Sequence, residues 1–173
     1  VLSIDVGLQR RVVQQQRRPY IFTEAEIKRL LDVAREFPSH NAPLRPIVLH
    51  AMITLAYCAG LRLGEIVSLT LGDLDVEGGQ IEIRDTKFFK SRRLPLATGV
   101  LSVLRTYLDA RAAAGAPSVP EAPMWWTPLR RQGYSYSTTE KLLIRVLRGA
   151  GLKPEHGQSG PRVHDLRPTF VAH

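Results

Sequence analysis

The run from Pro46 to Ala59 most constrains what this chain can fold into. Ile47, Val48, Leu49, Met52, Ile53, Leu55 and Ala56 place apolar groups on most sides of one helix. A helix that is apolar all round must be enclosed by protein. It is therefore expected at the centre of the domain, with the other elements wrapped round it. Pro46 suits its first turn, where a missing N–H leaves nothing unpaired. Cys58 lies inside the run and reads as a small buried hydrophobe. As the only cysteine it leaves no disulfide framework and no zinc-ligand spacing, which fits a reducing compartment.

Around that run the punctuation is legible. Thr23-Glu24-Ala25-Glu26 is a capping box, and Ile27, Leu30, Leu31 and Ala34 recur at helical spacing, so a helix is expected over about 24–36. Residues 38–46 hold three prolines and read as a loop. Gln80-Ile81-Glu82-Ile83-Arg84 alternates behind Gly78-Gly79 and reads as a strand. Arg92 to Leu96 is a shorter one, which Pro95 confines to an edge or an end. A helix from Val100 to Ala114 closes at Gly115, and Met124-Trp125-Trp126 anchors a proline-rich loop or offers rings for base stacking. Ser137-Thr138-Thr139-Glu140 reads as a second capping box, opening a helix to Ala150. The sum is an α+β domain, mostly helical, with a small antiparallel sheet at one edge.

Net charge is +8 and the isoelectric point about 10.1. The excess is clustered. Residues 1–18 carry four arginines against one acid, while 84–93 and 130–148 each carry five basic residues against one acid. Clusters of one sign favour a polyanion-facing surface over charge spread for solubility. Lys90, Arg92, Arg93, Arg130, Arg131, Lys141 and Arg145 are the candidate DNA contacts. No apolar run approaches the ~20 residues that span a bilayer, and no signal peptide is visible. The chain begins with Val, and residues 1–19, rich in Gln and Arg, read as a basic linker from a missing upstream domain.

The apolar run ends at Gly60, which suits the left-handed residue that closes a helix. Arg62 follows, and Glu65 is one turn on, so the two share a face while Ile66 and Leu69 lie on the adjacent apolar one. A guanidinium on a rigid connection beside a carboxylate suits binding of one phosphate. The whole stretch from Ala56 to Leu69 resembles the first active-site box of the tyrosine recombinases, the phage integrase family. That box has the common form A-x-x-x-G-L-R-x-x-E-[LI]-x-x-L and is matched here at every specified position. Thr86-Lys87, with Arg93-Leu94-Pro95-Leu96 closing the same hairpin, resembles the family's second box. His164-Asp165-Leu166-Arg167 resembles its H-x-L-R, continued by Thr169-Phe170 and His173. Pro168 departs from the pattern, where histidine is usual. Proline is tolerable there if it lies in the first helical turn, which puts that helix start near 165.

The resemblance covers residues 20–173 as a partial catalytic domain and implies site-specific DNA strand cleavage and rejoining, as in integration or transposition of mobile DNA. It assigns Arg62 and Arg167 to the scissile phosphate. His164 binds that phosphate or takes the nucleophile's proton. Lys87 protonates the leaving 5′-oxygen or is a plain phosphate contact, with Lys90 the competing candidate. Glu65 orients Arg62 or the histidine, or is an exposed helical Glu. His173 reads as structural, and His40, His50 and His156 match nothing. The partner implied is double-stranded DNA, with a homotetramer on it, in the bacterial cytoplasm; no metal, nucleotide cofactor or membrane is implied. The nucleophilic tyrosine is expected beyond residue 173, since Tyr20, Tyr57, Tyr107, Tyr134 and Tyr136 all precede His164. Two other readings remain: a non-catalytic DNA-binding remnant or regulator using the same basic face, and, more weakly, a relative of the type IB topoisomerases.

Overall fold

A computed structural model describes residues 18–85, 88, 90–157 and 159–172. The helices are α1 (Glu24–Arg35), α2 (Arg45–Cys58), α3 (Leu63–Val67), α4 (Thr98–Ala113), α5 (Tyr136–Gly149) and α6 (Leu166–Ala172). The strands are β1 (Leu74–Asp75), β2 (Gln80–Asp85), β3 (Lys90–Pro95), β4 (Trp126–Thr127) and β5 (Gln132–Gly133). This is the mostly helical α+β arrangement with a small antiparallel sheet that the sequence predicts.

α2 is the central helix. Every residue from Val48 to Ala56 is buried, and α1, α3, α4 and α6 all pack on it. α1 opens as expected: the Thr23 hydroxyl accepts from the Glu26 N–H, and the Glu26 carboxylate accepts from the Thr23 N–H. The three-stranded sheet runs β1-β2-β3 with antiparallel neighbours and Ile81 opposite Leu94. Ile81 and Ile83 bury one face, while β3 is exposed along most of its length and ends at Pro95. β1 and the β4–β5 ribbon are too short to show a period in the sequence.

Two local readings are corrected. Cys58 is exposed. It is the last residue of α2, beyond the stretch that the neighbouring helices enclose, although partial burial still pushes its thiol pKa up. The cap of α5 is Ser135 rather than Ser137. Ser135 has extended backbone and its hydroxyl accepts from the Thr138 N–H. Ser137 to Glu140 therefore lie inside the helix, where the Thr139 hydroxyl donates to the Ser135 carbonyl.

The proline-rich loop before β4 is anchored rather than free. The Arg111 guanidinium, buried on α4, donates to the carbonyls of Pro117, Pro123 and Met124. Tyr107 donates to the Met124 carbonyl and accepts from the Trp126 N–H. Trp125 packs against the Tyr107 ring at 5.1 Å and donates its indole N–H to the Ile66 carbonyl at 2.7 Å. Trp125 and Trp126 are both buried, so they anchor this loop and present no face for base stacking. Through Ile66 the loop also holds α3.

Candidate functional site

Three basic side chains from two distant parts of the chain line one cleft. Its volume is about 190 Å³, and its walls include Arg62, His164 and Arg167 over a floor of Leu61, Leu63 and Ile66. Arg62 stands immediately before α3 in extended backbone, and its side chain is exposed. His164 sits in the turn Val163–Asp165, and Arg167 in the first turn of α6. Pro168, the next residue, also lies in that first turn, where proline takes no hydrogen bond away.

The two halves of the cleft meet at Gly60. Its φ of +63° is in the left-handed region, and a Cβ there would lie 2.6 Å from Cδ1 of Phe170 on α6. Bare backbone at this point lets α6 approach the end of α2. Gly60→Ala should therefore lower stability by about 1–2 kcal/mol from the backbone conformation alone, with more from displacing Phe170. A shift of the urea midpoint with an unchanged slope is the check; an unshifted midpoint would show that α6 does not depend on this approach.

α6 is also fixed from the other side. The Thr169 hydroxyl, fully buried, donates to the Asp165 carbonyl and accepts from the Phe22 N–H. The buried Asp165 carboxylate accepts from the Arg162 N–H at 2.7 Å and so closes the turn that presents His164.

Glu65 is divided between two partners. One carboxylate oxygen accepts from the backbone N–H of Arg62 at 2.9 Å. The other accepts from the Arg92 guanidinium at 3.0 Å. Glu65 therefore braces the backbone that carries Arg62 and ties the β2–β3 ribbon to α3; its carboxylate contact to Arg62 is through the main chain. Arg92, expected as a DNA contact, makes this ion pair with its side chain still 44% exposed. At the opposite edge of β2, Arg84 pairs with the buried Asp73 at 2.9 Å.

Lys87 and His173 lie outside the described residues. Lys90, Arg93, Arg130, Arg131 and Lys141 are exposed. Arg145 is exposed too, with its guanidinium 4.8 Å above the Phe37 ring. Tyr134 packs against the core.

One neighbour of the cleft has no signal in the sequence. The Tyr136 hydroxyl stands 3.2 Å from Nε2 of His164. Tyr136 is the first residue of α5, and partial burial, reinforced by the Glu140 charge, raises its pKa, so the phenol stays protonated at neutral pH. Only the docking of α5 against the turn at 163–165 brings the two together. Among the described residues no cluster of His, Cys, Asp or Glu could hold a metal ion. None of the described helices is long and apolar enough to cross a membrane.

Residues 21–173 match the phage integrase family. The chain belongs to that family. A putative integrase/recombinase of Sinorhizobium fredii is 34% identical over 162 residues, which are 91% of this chain and 50% of that protein. The crystal structure of XerA recombinase superposes with a TM-score of 0.69 at 25% identity, over 90% of this chain and 50% of that one. The lambda integrase catalytic core shares the fold at a TM-score of 0.60 and 18% identity, over 90% of this chain and 82% of that one. The chain spans about half the length of the curated relatives it matches, 50–52% for the first of them. The stretches around Arg62 and Arg167 that resemble the family's boxes both line the cleft.

Proposed function

We propose that this domain binds and activates a phosphodiester of double-stranded DNA for site-specific strand cleavage and rejoining. The observation that supports it is the single cleft shared by Arg62, His164 and Arg167. A tyrosine oxygen attacks phosphorus, the bond from phosphorus to the 5′-oxygen breaks, and a 3′-phosphotyrosyl link and a 5′-hydroxyl result. The tyrosine's proton passes to His164. The leaving 5′-oxygen takes a proton from Lys87, which follows β2 in the sequence. Arg62 and Arg167 hold the non-bridging oxygens, whose charge rises in the transition state, and the apolar floor strengthens that interaction by lowering the local dielectric. Rejoining reverses each step, so the reaction needs no external energy. The nucleophile is supplied from beyond residue 173, and the working unit is a homotetramer on DNA, placing the protein with the DNA in the bacterial cytoplasm.

The test compares this chain with the product of the full reading frame. Each selects its site from a random duplex library at low salt. The selected duplex is then nicked beside the scissile phosphate, so that the cleaved fragment diffuses away. The longer protein is expected to leave a covalent adduct that maps to a tyrosine downstream of His173, and the 173-residue chain none. Specific binding without an adduct from the longer protein would favour a non-catalytic DNA-binding protein. An adduct formed by this chain alone would refute the placing of the nucleophile.

A further inference from the structure

A second pocket lies at the other end of the central helix, remote from Arg62. Its volume is about 300 Å³, and it opens between α2 and α4 beside the last turn of α1. Pro46, Ile47 and His50 supply one wall, Val103 and the hydroxyls of Ser102 and Thr106 the facing one, and Arg35 its remaining side. The positions 46, 47 and 50 on α2, and 102, 103 and 106 on α4, are each one helix face. The pocket is thus a seam between two rigid elements, large enough for a small organic molecule.

His50 marks it as more than a packing gap. The residue is 8% exposed, and its Nε2 has no hydrogen-bond partner among the described residues. Buried polar atoms are paired in the great majority of cases, because an unpaired one gives up its hydrogen bond to water with nothing in return. Burial foremost, and the Arg35 charge after it, hold the imidazole below the ordinary histidine range. The ring is therefore neutral at neutral pH. Arg35 is exposed and has no ion pair among the described residues. Asp32, one turn back on α1, acts on His50 in the opposite sense, and the facing residues of α4 carry no charge. The Thr106 hydroxyl already donates to the Ser102 carbonyl. The donors left to the pocket are the Arg35 fork, the Ser102 hydroxyl and the imidazole N–H.

We propose that this pocket is a binding site for a small organic carboxylate with a short apolar body, held by Arg35, His50 and Ser102, with Pro46, Ile47 and Val103 against the body. A guanidinium fork matches a carboxylate's two oxygens. A neutral imidazole N–H and a hydroxyl supply further donors without adding charge. The apolar walls separate such a ligand from inorganic anions, which have no body to bury. The site is independent of strand cleavage and does not share a side chain with the cleft at Arg62.

Benzoate, benzamide and inorganic phosphate are the probes, read through the ring signals of His50 in long-range ¹H–¹⁵N spectra of the chain. Benzoate is expected to shift them saturably in the millimolar range, with benzamide and phosphate at least tenfold weaker. Arg35→Gln should weaken benzoate at least tenfold while leaving the thermal melt in place, because Arg35 is exposed. Val103→Phe, which fills the pocket, should abolish the shift. Equal binding of benzamide and benzoate would reduce the site to an apolar crevice and overturn the proposal. So would a non-saturating shift, an unaffected Arg35→Gln variant, or a response at His164 in place of His50.

Discussion

Arg62→Ala and Arg167→Ala, each made in the full-length protein, are expected to lower the rate of strand cleavage by about 10²–10³-fold or more, the cost of removing one donor aimed at transition-state charge. DNA affinity should change far less. On the proposed function each arginine is a single phosphate contact among many, so its loss should remove about one counterion from the salt dependence of binding. The comparison is single-turnover cleavage against equilibrium binding at fixed salt. If both quantities fell by the same factor, the arginines would be ordinary contacts to the DNA backbone. On the proposed function the two variants should also be far from additive, because the two arginines line one cleft and would share one phosphate.

Trp125→Ala should cost about 3–5 kcal/mol, as for other buried aromatic truncations. That is a large share of the ~5–15 kcal/mol typical of a domain. At about 2–4 °C per kcal/mol for a chain of this size, the melting temperature should fall by roughly 6–20 °C. Two losses combine. The ring leaves its place against Tyr107, and the Ile66 carbonyl loses the indole N–H. Trp125→Phe separates them, since it retains most of the ring while orphaning the carbonyl, and should cost about 1–3 kcal/mol. A melt within 2 °C of the parent for Trp125→Ala would mean that the proline-rich loop does not support α3.

The central helix was legible because its apolar residues leave no polar face, and the first helix because Thr23 and Glu26 cap each other within three residues. The hairpin was legible from its alternation. At Ser135 the reading failed by two residues, because Ser135, Ser137, Thr138 and Thr139 offer competing caps within five positions, and local pattern does not rank them. Cys58 misled for a related reason. Its apolar neighbours in sequence say that the helix is buried, but not where along its length the enclosure stops.

Arg62, His164 and Arg167 were each recognisable from short motifs, and their common cleft was the expectation those motifs carried. Glu65, three residues from Arg62, was recognisable as a brace; the distant partners were not. Arg92 reaches Glu65 across 27 residues, Tyr136 reaches His164 across 28, Trp125 reaches Ile66 across 59, and Thr169 reaches Phe22 across 147. By itself the sequence determined what depends on the next three or four residues: caps, periods, the left-handed turn at Gly60, the apolar and charged faces. Only the tertiary structure decided which of those faces meet. Hydrogen-bonded helices and strands form on local geometry, whereas the pairing of distant side chains depends on how every element fills the space around α2.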